Sequence, residues 1–393
     1  MQGENIVCFA KDWNEDPTSN NHVMRVLARQ NEILWLNSVS TRTPNFASGR
    51  DLRKIGRKLT TLATGAARAA PGLTVHTPIV LPFPHSAMAV RINRMILRTS
   101  IGRQLRKKQI DDFQLWAYIP SAVHYTGIGE SLLVYYCIDE WSEFDFVDRS
   151  RLPELERQLC RRADIVFTTS MGLLERKKAH NPETHLASHG VDQAHFAAAL
   201  DECTPIAEEM RGLSKPVIGF FGLIESWIDI DLFAYLAEKR PEWTIVIVGR
   251  SQLDLARLRA YSNIVLTGRR PYEELPQFAK AWDVALCPFV VNELTRNVNP
   301  IKLREYLAAG LPVVSTGIPE VLHYSDWCYI ANGPEAFLAA CERALAEDSP
   351  ERRRQRSDAM KAETWEARVD AIGDHILRIK RTKEARGHSA RSQ

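Results

Sequence analysis

The stretch that decides the fold is ELTRNVNPIKLREYLAAGLPVVS, running from Glu293 to Ser315. Pro300 followed by Ile301, Leu303, Tyr306 and Leu307 predicts the start of a helix, since proline suits a first helical position and the apolar residues share a face. Gly310 and Pro312 predict its end. Val313 and Val314 then read as a short buried strand. A helix start placed here presents backbone N–H groups without partners, with Arg296 and Lys302 nearby. That is an anion site suited to a diphosphate. Glu305 lies one turn beyond Lys302, where an acid can accept hydrogen bonds from ribose hydroxyls.

Working outward, short β-branched and aromatic runs alternate with longer helical patterns. They are Asn5–Phe9, Ile33–Leu36, Phe113–Tyr118, Leu132–Ile138 and Ile165–Thr168, then Val217–Phe221, Thr244–Val248, Ile264–Thr267, Val284–Cys287 and Val313–Ser315. The runs are near-continuously apolar, as strands buried on both faces must be. Their alternation with helices predicts parallel α/β sheets, too many strands for one small domain. The acidic, Gly- and Pro-containing segment 201–215 predicts the seam. We expect a Rossmann-like domain over 1–205, a second over 213–350, a helical segment over 351–382 returning to the first domain, and a disordered tail over 383–393.

Composition sets the outer limits. The chain has 393 residues, 45% hydrophobic and 25% charged, the balance of a globular protein that buries its core without staples. Seven irregularly spaced cysteines with no C-x-x-C argue against a disulfide framework or structural zinc. The early charges of MQGENIVCFAKDW and the lack of an 18-residue apolar run point to a cytoplasmic protein, at most peripheral on a membrane. The net charge of +3 hides an asymmetry. Residues 50–108 carry thirteen Lys/Arg and one acid, Asp51, so 13 − 1 = +12, and the remainder sums to 3 − 12 = −9. Leu52, Ile55, Leu59, Leu62 and Ala66 form a helical stripe beside these bases, suited to an anionic membrane surface or simply to packing on the domain. Nothing accompanies the charge that would suggest nucleic acid.

Motifs exclude several chemistries. There is no G-x-G-x-x-G after either first strand, no Walker A sequence, no H-E-x-x-H and no G-x-S-x-G. The one D-x-D, Asp229 and Asp231, has a spacing that can chelate a metal. It follows Ser226 and opens a helical run, so capping is the favoured reading, with Ser226 and Asp229 as a capping box.

The string Glu305-Tyr-Leu-Ala-Ala-Gly-Leu-Pro-Val-Val resembles the signature of retaining glycosyltransferases of the family-4 type, and the N-P-x-K-x-x-E-Y-L-A-A-G form resembles a surface-polysaccharide and teichuronic-acid-type subgroup. Ile165–Ser170, Gly190-Val191-Asp192 with Phe196, Val217–Gly222 and Ile264–Gly268 extend the resemblance over nearly the whole chain. It implies an α/β GT-B fold, two Rossmann-like domains facing a central cleft. It also implies a nucleotide-sugar donor, a lipid-linked or saccharide acceptor, and no cofactor or metal.

Residue by residue, the resemblance implies that Glu305 holds the ribose and that the turn at Val298 and Asn299 lies under the phosphates. Gly222 opens the donor domain, and Arg269 stands in the turn that meets the base. Where the family has an acid eight residues before the ribose glutamate, touching the sugar, this chain has Asn297. Where it has Arg and Lys after the first donor-domain strand, this chain has Glu225-Ser226-Trp227, so Arg296 and Lys302 are expected to neutralise the diphosphate. Asp139, ending the strand Leu132–Ile138, occupies a position where related enzymes often carry His near the reacting carbon. Its other reading is a helix N-cap. Retention in this family needs positioning and electrostatic help more than a nucleophile. A nucleotide-sugar 2-epimerase and a catalytically silent scaffold are the alternatives, although the acid/base carboxylates and His cluster expected of the epimerase are missing.

Overall fold

The computed structural model describes residues 1–15, 17–37, 66–83, 86–143 and 151–391, with side chains to 385. The strands are β1 Asn5–Phe9, β2 Glu32–Leu36, β3 Ala67–Ala70, β4 Leu73–His76, β5 Gln114–Ala117, β6 Leu132–Cys137, β7 Ile165–Thr168 and β8 Thr184–Leu186, then β9 Val217–Phe221, β10 Thr244–Val248, β11 Ile264–Gly268, β12 Val284–Cys287, β13 Val313–Ser315 and β14 Cys328–Ile330. Helices of eight residues or more are α1 Ser19–Leu27, α2 Ala87–Lys107, α3 Leu152–Arg162, α4 Met171–Lys178, α5 Ile230–Lys239, α6 Ile301–Ala308, α7 Pro334–Glu347, α8 Pro350–Ala359 and α9 Trp365–Arg391.

The first sheet has the order β3-β4-β2-β1-β5-β6-β7-β8 and the second β11-β10-β9-β12-β13-β14. Both are parallel except for the edge pair β3–β4. All five residues of β9, β10 and the central part of β6 are buried, as strands covered on both faces require. In each sheet the order reverses beside the first strand, between β1 and β5 and between β9 and β12. Crevices outside the carboxyl ends of such strands are where α/β sheets bind ligands.

The chain divides into two compact units, residues 1–187 with 369–393, and residues 188–368. The boundary falls earlier than the expected seam at 201–215. Val191, Phe196, Ala199, Ala207 and Met210 are the reason, because all five belong to the hydrophobic core around β9. Helix α8 also stays with the second unit. Ser357 Oγ donates to the Ala308 carbonyl at 2.6 Å, and Arg356 donates to the Gly310 carbonyl at 3.2 Å. Within α9 the chain passes to the first unit at Val369, where Lys380 pairs with Glu4 at 2.7 Å and Lys383 with Asp164 at 2.8 Å. The tail expected to be disordered from 383 is helical to Arg391, anchored at its start by that second ion pair.

All seven cysteines are free thiols, six of them buried. Among the described residues no helix is long and apolar enough to cross a membrane. The stripe expected from Leu52 to Ala66 lies, apart from Ala66, outside the described residues.

Candidate functional site

Helix α6 is held against the switch point of the second sheet by Tyr306. Its hydroxyl accepts the Phe221 N–H at 2.8 Å and donates to the Phe221 carbonyl at 3.2 Å, with the two rings 4.5 Å apart. Lys302 and Tyr306 are one turn apart and so share a helix face. The clamp therefore brings the Lys302 ammonium to the end of β9. Its Nζ lies 4.8 Å from the Phe220 ring centroid and 5.6 Å from that of Phe289, within cation–π range.

Gly222 takes a φ of +139°, and a Cβ built there would come 2.8 Å from Lys302 Nζ. Gly249, at φ +150°, presses on Gly222 in turn, since its Cβ would fall 1.9 Å from the Gly222 carbonyl oxygen. Only glycine meets both demands.

Lys302 has no hydrogen bond or ion pair among the described residues, and neither has the Glu305 carboxylate three residues on. Burial pushes the Glu305 carboxyl up to about 8, partly opposed by the Lys302 charge and assisted by Asp192. Burial lowers the Lys302 amine, against the opposing pull of Cys287 and Glu305. The N-cap of α6 is Pro300, whose side chain caps nothing. The Leu303 N–H turns back to the Pro300 carbonyl at 3.3 Å, which leaves the N–H groups of Ile301 and Lys302 facing outward from the helix start. Proline thus stands one position earlier than the N1 reading. The arrangement offers a desolvated cation, a helix start and an acceptor carboxylate, as a diphosphate joined to a diol requires.

The raised Glu305 carboxyl has a consequence for stability. The folded state holds a proton that the unfolded state releases near 4.5, so this contribution is full below that pH and is lost as pH rises through about 8. Melting temperature of the unliganded protein is expected to fall over that window, and Glu305→Gln to flatten the decline. Parallel curves for the two proteins would assign the slope elsewhere.

The remaining expected residues are distributed differently. Arg296 is exposed in the turn Thr295–Asn297 and pairs with Glu293 at 3.4 Å, away from any burial. Asn297 is buried, its Nδ2 donating to the Glu293 carbonyl at 2.9 Å. Val298 packs on the core. Asn299 faces another set of partners, donating to Glu320 at 3.0 Å and accepting from Arg304 at 2.6 Å. Arg304 also meets Glu363 at 2.8 Å, and Glu363 accepts from Tyr324 at 2.6 Å and Arg368 at 3.0 Å. Arg269 is exposed directly after β11.

Asp139 belongs to the first unit, two residues past β6, and its carboxylate has no hydrogen bond or ion pair among the described residues. Burial, then the neighbouring Glu140 charge, raises it to about 7. Glu140 is tied to Lys177 at 3.3 Å, and Lys177 to Glu156 at 2.6 Å. Asp229, not Ser226, caps α5, accepting from the N–H groups of Asp231 at 3.0 Å and Leu232 at 3.3 Å, while Asp231 pairs with Arg257.

Phe220, Phe289, Gly249 and Arg304 were not singled out from sequence. Gly249 ends a buried strand, which was the available signal. The aromatic pair and the Arg304 network carry none, because their partners lie far along the chain.

Residues 215–347, which contain the Lys302–Glu305 cluster, match the family described as Glycosyl transferases group 1, and this segment is a domain of that class. Two curated proteins are similar. One is TuaH of Bacillus subtilis, named for teichuronic acid biosynthesis as a glycosyltransferase, 26% identical over 257 residues. The other is the 2-deoxystreptamine glucosyltransferase of Streptomyces kanamyceticus, 29% identical over 233 residues. The matches cover 59% and 53% of this chain, and only 64% and 58% of those relatives' own lengths. The overall fold is that of GT-B proteins. Sucrose-phosphate synthase from Thermosynechococcus elongatus superposes with a TM-score of 0.66 at 14% identity, covering 96% of this chain and 99% of its own. Anabaena HepE, in complex with UDP and glucose, gives 0.65 at 14% identity, covering 95% and 99%.

Proposed function

We propose that the chain is a hexosyltransferase that moves a sugar from a nucleotide-sugar donor to a lipid-linked or saccharide acceptor, with retention, in cell-envelope polysaccharide synthesis at the inner face of the cytoplasmic membrane. The observation that carries the reading is the unpaired Lys302 and Glu305 beside Gly222 at the switch point of the second sheet. Lys302 and the α6 N-terminus hold the donor diphosphate and stabilise its charge as the sugar leaves. Glu305 accepts the ribose hydroxyls, Asn297 serves the sugar, and Asp139 in the first unit is a candidate catalytic carboxylate. Gly222 admits the phosphates, Val298 and Asn299 shape the turn beneath them, Arg296 adds charge, and Arg269 borders the base. TuaH's name favours an envelope polymer, and the UDP in HepE makes UDP-sugars the first donors to try.

Thermal-shift measurement with UDP-, GDP-, ADP- and dTDP-sugars tests donor binding, since a ligand at 100 Kd stabilises by about 2.7 kcal/mol. Glu305→Ala is expected to weaken the best donor by roughly 1.5–3 kcal/mol, the range for hydrogen bonds to a charged group. Donor affinity should rise as pH approaches 8, because the ribose hydroxyls favour the ionised carboxylate. A folded Ala variant with native affinity removes Glu305 from the site.

The reaction is expected to need no metal. Asp229 is spent on a cap and Asp231 on Arg257, leaving the diphosphate to Lys302 and the helix start. EDTA should leave turnover intact. Loss on chelation, restored by Mg²⁺ or Mn²⁺, would return the D-x-D pair to the site.

A further inference from the structure

The first unit carries a surface that the reaction chemistry leaves unused. Of the twelve exposed large apolar side chains among the described residues, six fall within residues 79–95: Ile79, Leu81, Phe83, Met88, Ile92 and Met95. Met88 and Met95 are 73% and 70% exposed, and Ile79 is 64% exposed. Clustered exposure of this kind marks an interaction site.

The geometry of α2 explains the cluster. The helix buries Ala89, Asn93, Leu97, Ile101 and Leu105, stepping by four, against the sheet. Asn93 fixes the preceding loop, accepting the Leu81 N–H at 2.7 Å and donating to the Leu81 carbonyl at 2.9 Å. Loop and helix therefore present their apolar residues as one held surface. Met88, Ile92 and Met95 stand on the outward face, and the same face continues through Thr99 to Arg103 and Arg106. Arg91 and Arg98 flank it. Between Ile79 and Ile110 the sequence has no Asp or Glu.

We propose that this face docks on an anionic lipid bilayer, with Ile79, Leu81, Phe83, Met88, Ile92 and Met95 at headgroup depth and Arg91, Arg98, Arg103 and Arg106 on lipid phosphates. Charge selects the occupant: an acid-free basic rim around apolar side chains matches a surface of anionic headgroups over hydrocarbon. The position suits the acceptor side of the reaction. β4 runs parallel to β2, and through β1 and β5 to β6, so the loop after His76 and Asp139 after β6 leave the same end of the sheet. The inference rests on the transferase reading only for its purpose, delivery of a lipid-linked acceptor, and its test is separate.

The full chain is sedimented with vesicles of phosphatidylcholine alone and of phosphatidylcholine with phosphatidylglycerol. Binding is expected only to the anionic vesicles, and most of it should vanish at 1 M salt, where the Debye length is about 3 Å. Changing Arg91, Arg98, Arg103 and Arg106 to Gln is expected to lower the partition on the order of a thousandfold. Changing Met88, Ile92 and Met95 to Ser should also release the protein. These side chains are exposed, so both variants should keep the native melting temperature and donor-induced shift. Equal binding to neutral vesicles, or variants that pellet like the native chain, overturns the proposal. If pelleting fails while the donor shift persists, only the docking face falls. If pelleting occurs and no donor shifts any protein, the transferase reading falls and the surface stands.

Discussion

Lys302→Met is expected to lower kcat by 10²–10³ while raising the melting temperature. The two effects have one source. The ammonium is desolvated and pressed between the Phe220 and Phe289 rings without an ion-pair partner in the unliganded protein. Burial already lowers its proton affinity, a sign that the charge is held at a cost. Methionine keeps the length and suits an aromatic pocket, so the fold gains when the charge is removed. In the proposed transfer, turnover loses, because a preorganised cation beside a departing diphosphate is worth about 2.7–4 kcal/mol in the transition state. Thermal melts and donor turnover on the same preparation check both signs. A variant that loses turnover and stability together has been damaged in packing, and one that keeps turnover places the phosphates elsewhere. Such opposition of stability and activity is expected of a site held ready for charge.

The sheets were legible because buried parallel strands announce themselves. Asn5–Phe9, Ile165–Thr168, Val217–Phe221, Thr244–Val248, Val284–Cys287 and Val313–Ser315 occur with the expected bounds. The four strands not expected, β3, β4, β8 and β14, are three or four residues long and lie at or next to sheet edges, where polar residues such as Arg68, Thr74, Thr184 and His185 break the apolar run. Lys302 and Glu305 were legible as a helix start followed by an acid. Arg296 was not separable from Lys302, because both lie within a few residues of the turn and only the fold sends one to Gly222 and the other to Glu293. The role of Asn299 was hidden for the same reason. Its partners are Glu320 and Arg304, and through Arg304 it depends on Glu363, 64 residues away.

That dependence sets the largest stability effect expected in the second unit. Arg304 is 2% exposed, and its guanidinium meets Glu363 at 2.8 Å, Asn299 at 2.6 Å and the Tyr324 ring at 5.0 Å. The same carboxylate takes hydrogen bonds from Tyr324 and Arg368. Partial burial pushes it up, but the Arg304 charge, the Tyr324 hydrogen bond and the Arg368 charge outweigh that and hold it below the usual carboxylate range. Glu363→Ala leaves Arg304 buried without its counter-charge, which is expected to cost about 3–5 kcal/mol. At roughly 2–4 °C per kcal/mol for a unit of this size, the melting temperature should fall by about 6–20 °C. Glu363→Gln keeps the shape and an acceptor, and should lose less. Removing both charges with Arg304→Met and Glu363→Leu should recover most of the loss, since the penalty lies in the orphaned cation more than in the absent pair. Donor affinity separates the two layers of the site. The double variant frees Asn299 from Arg304, so a turn that depends on this support should bind donor more weakly even where stability has returned. Native affinity in a restabilised double variant would show that Lys302 and the clamp from Tyr306 to Phe221 position the helix start by themselves.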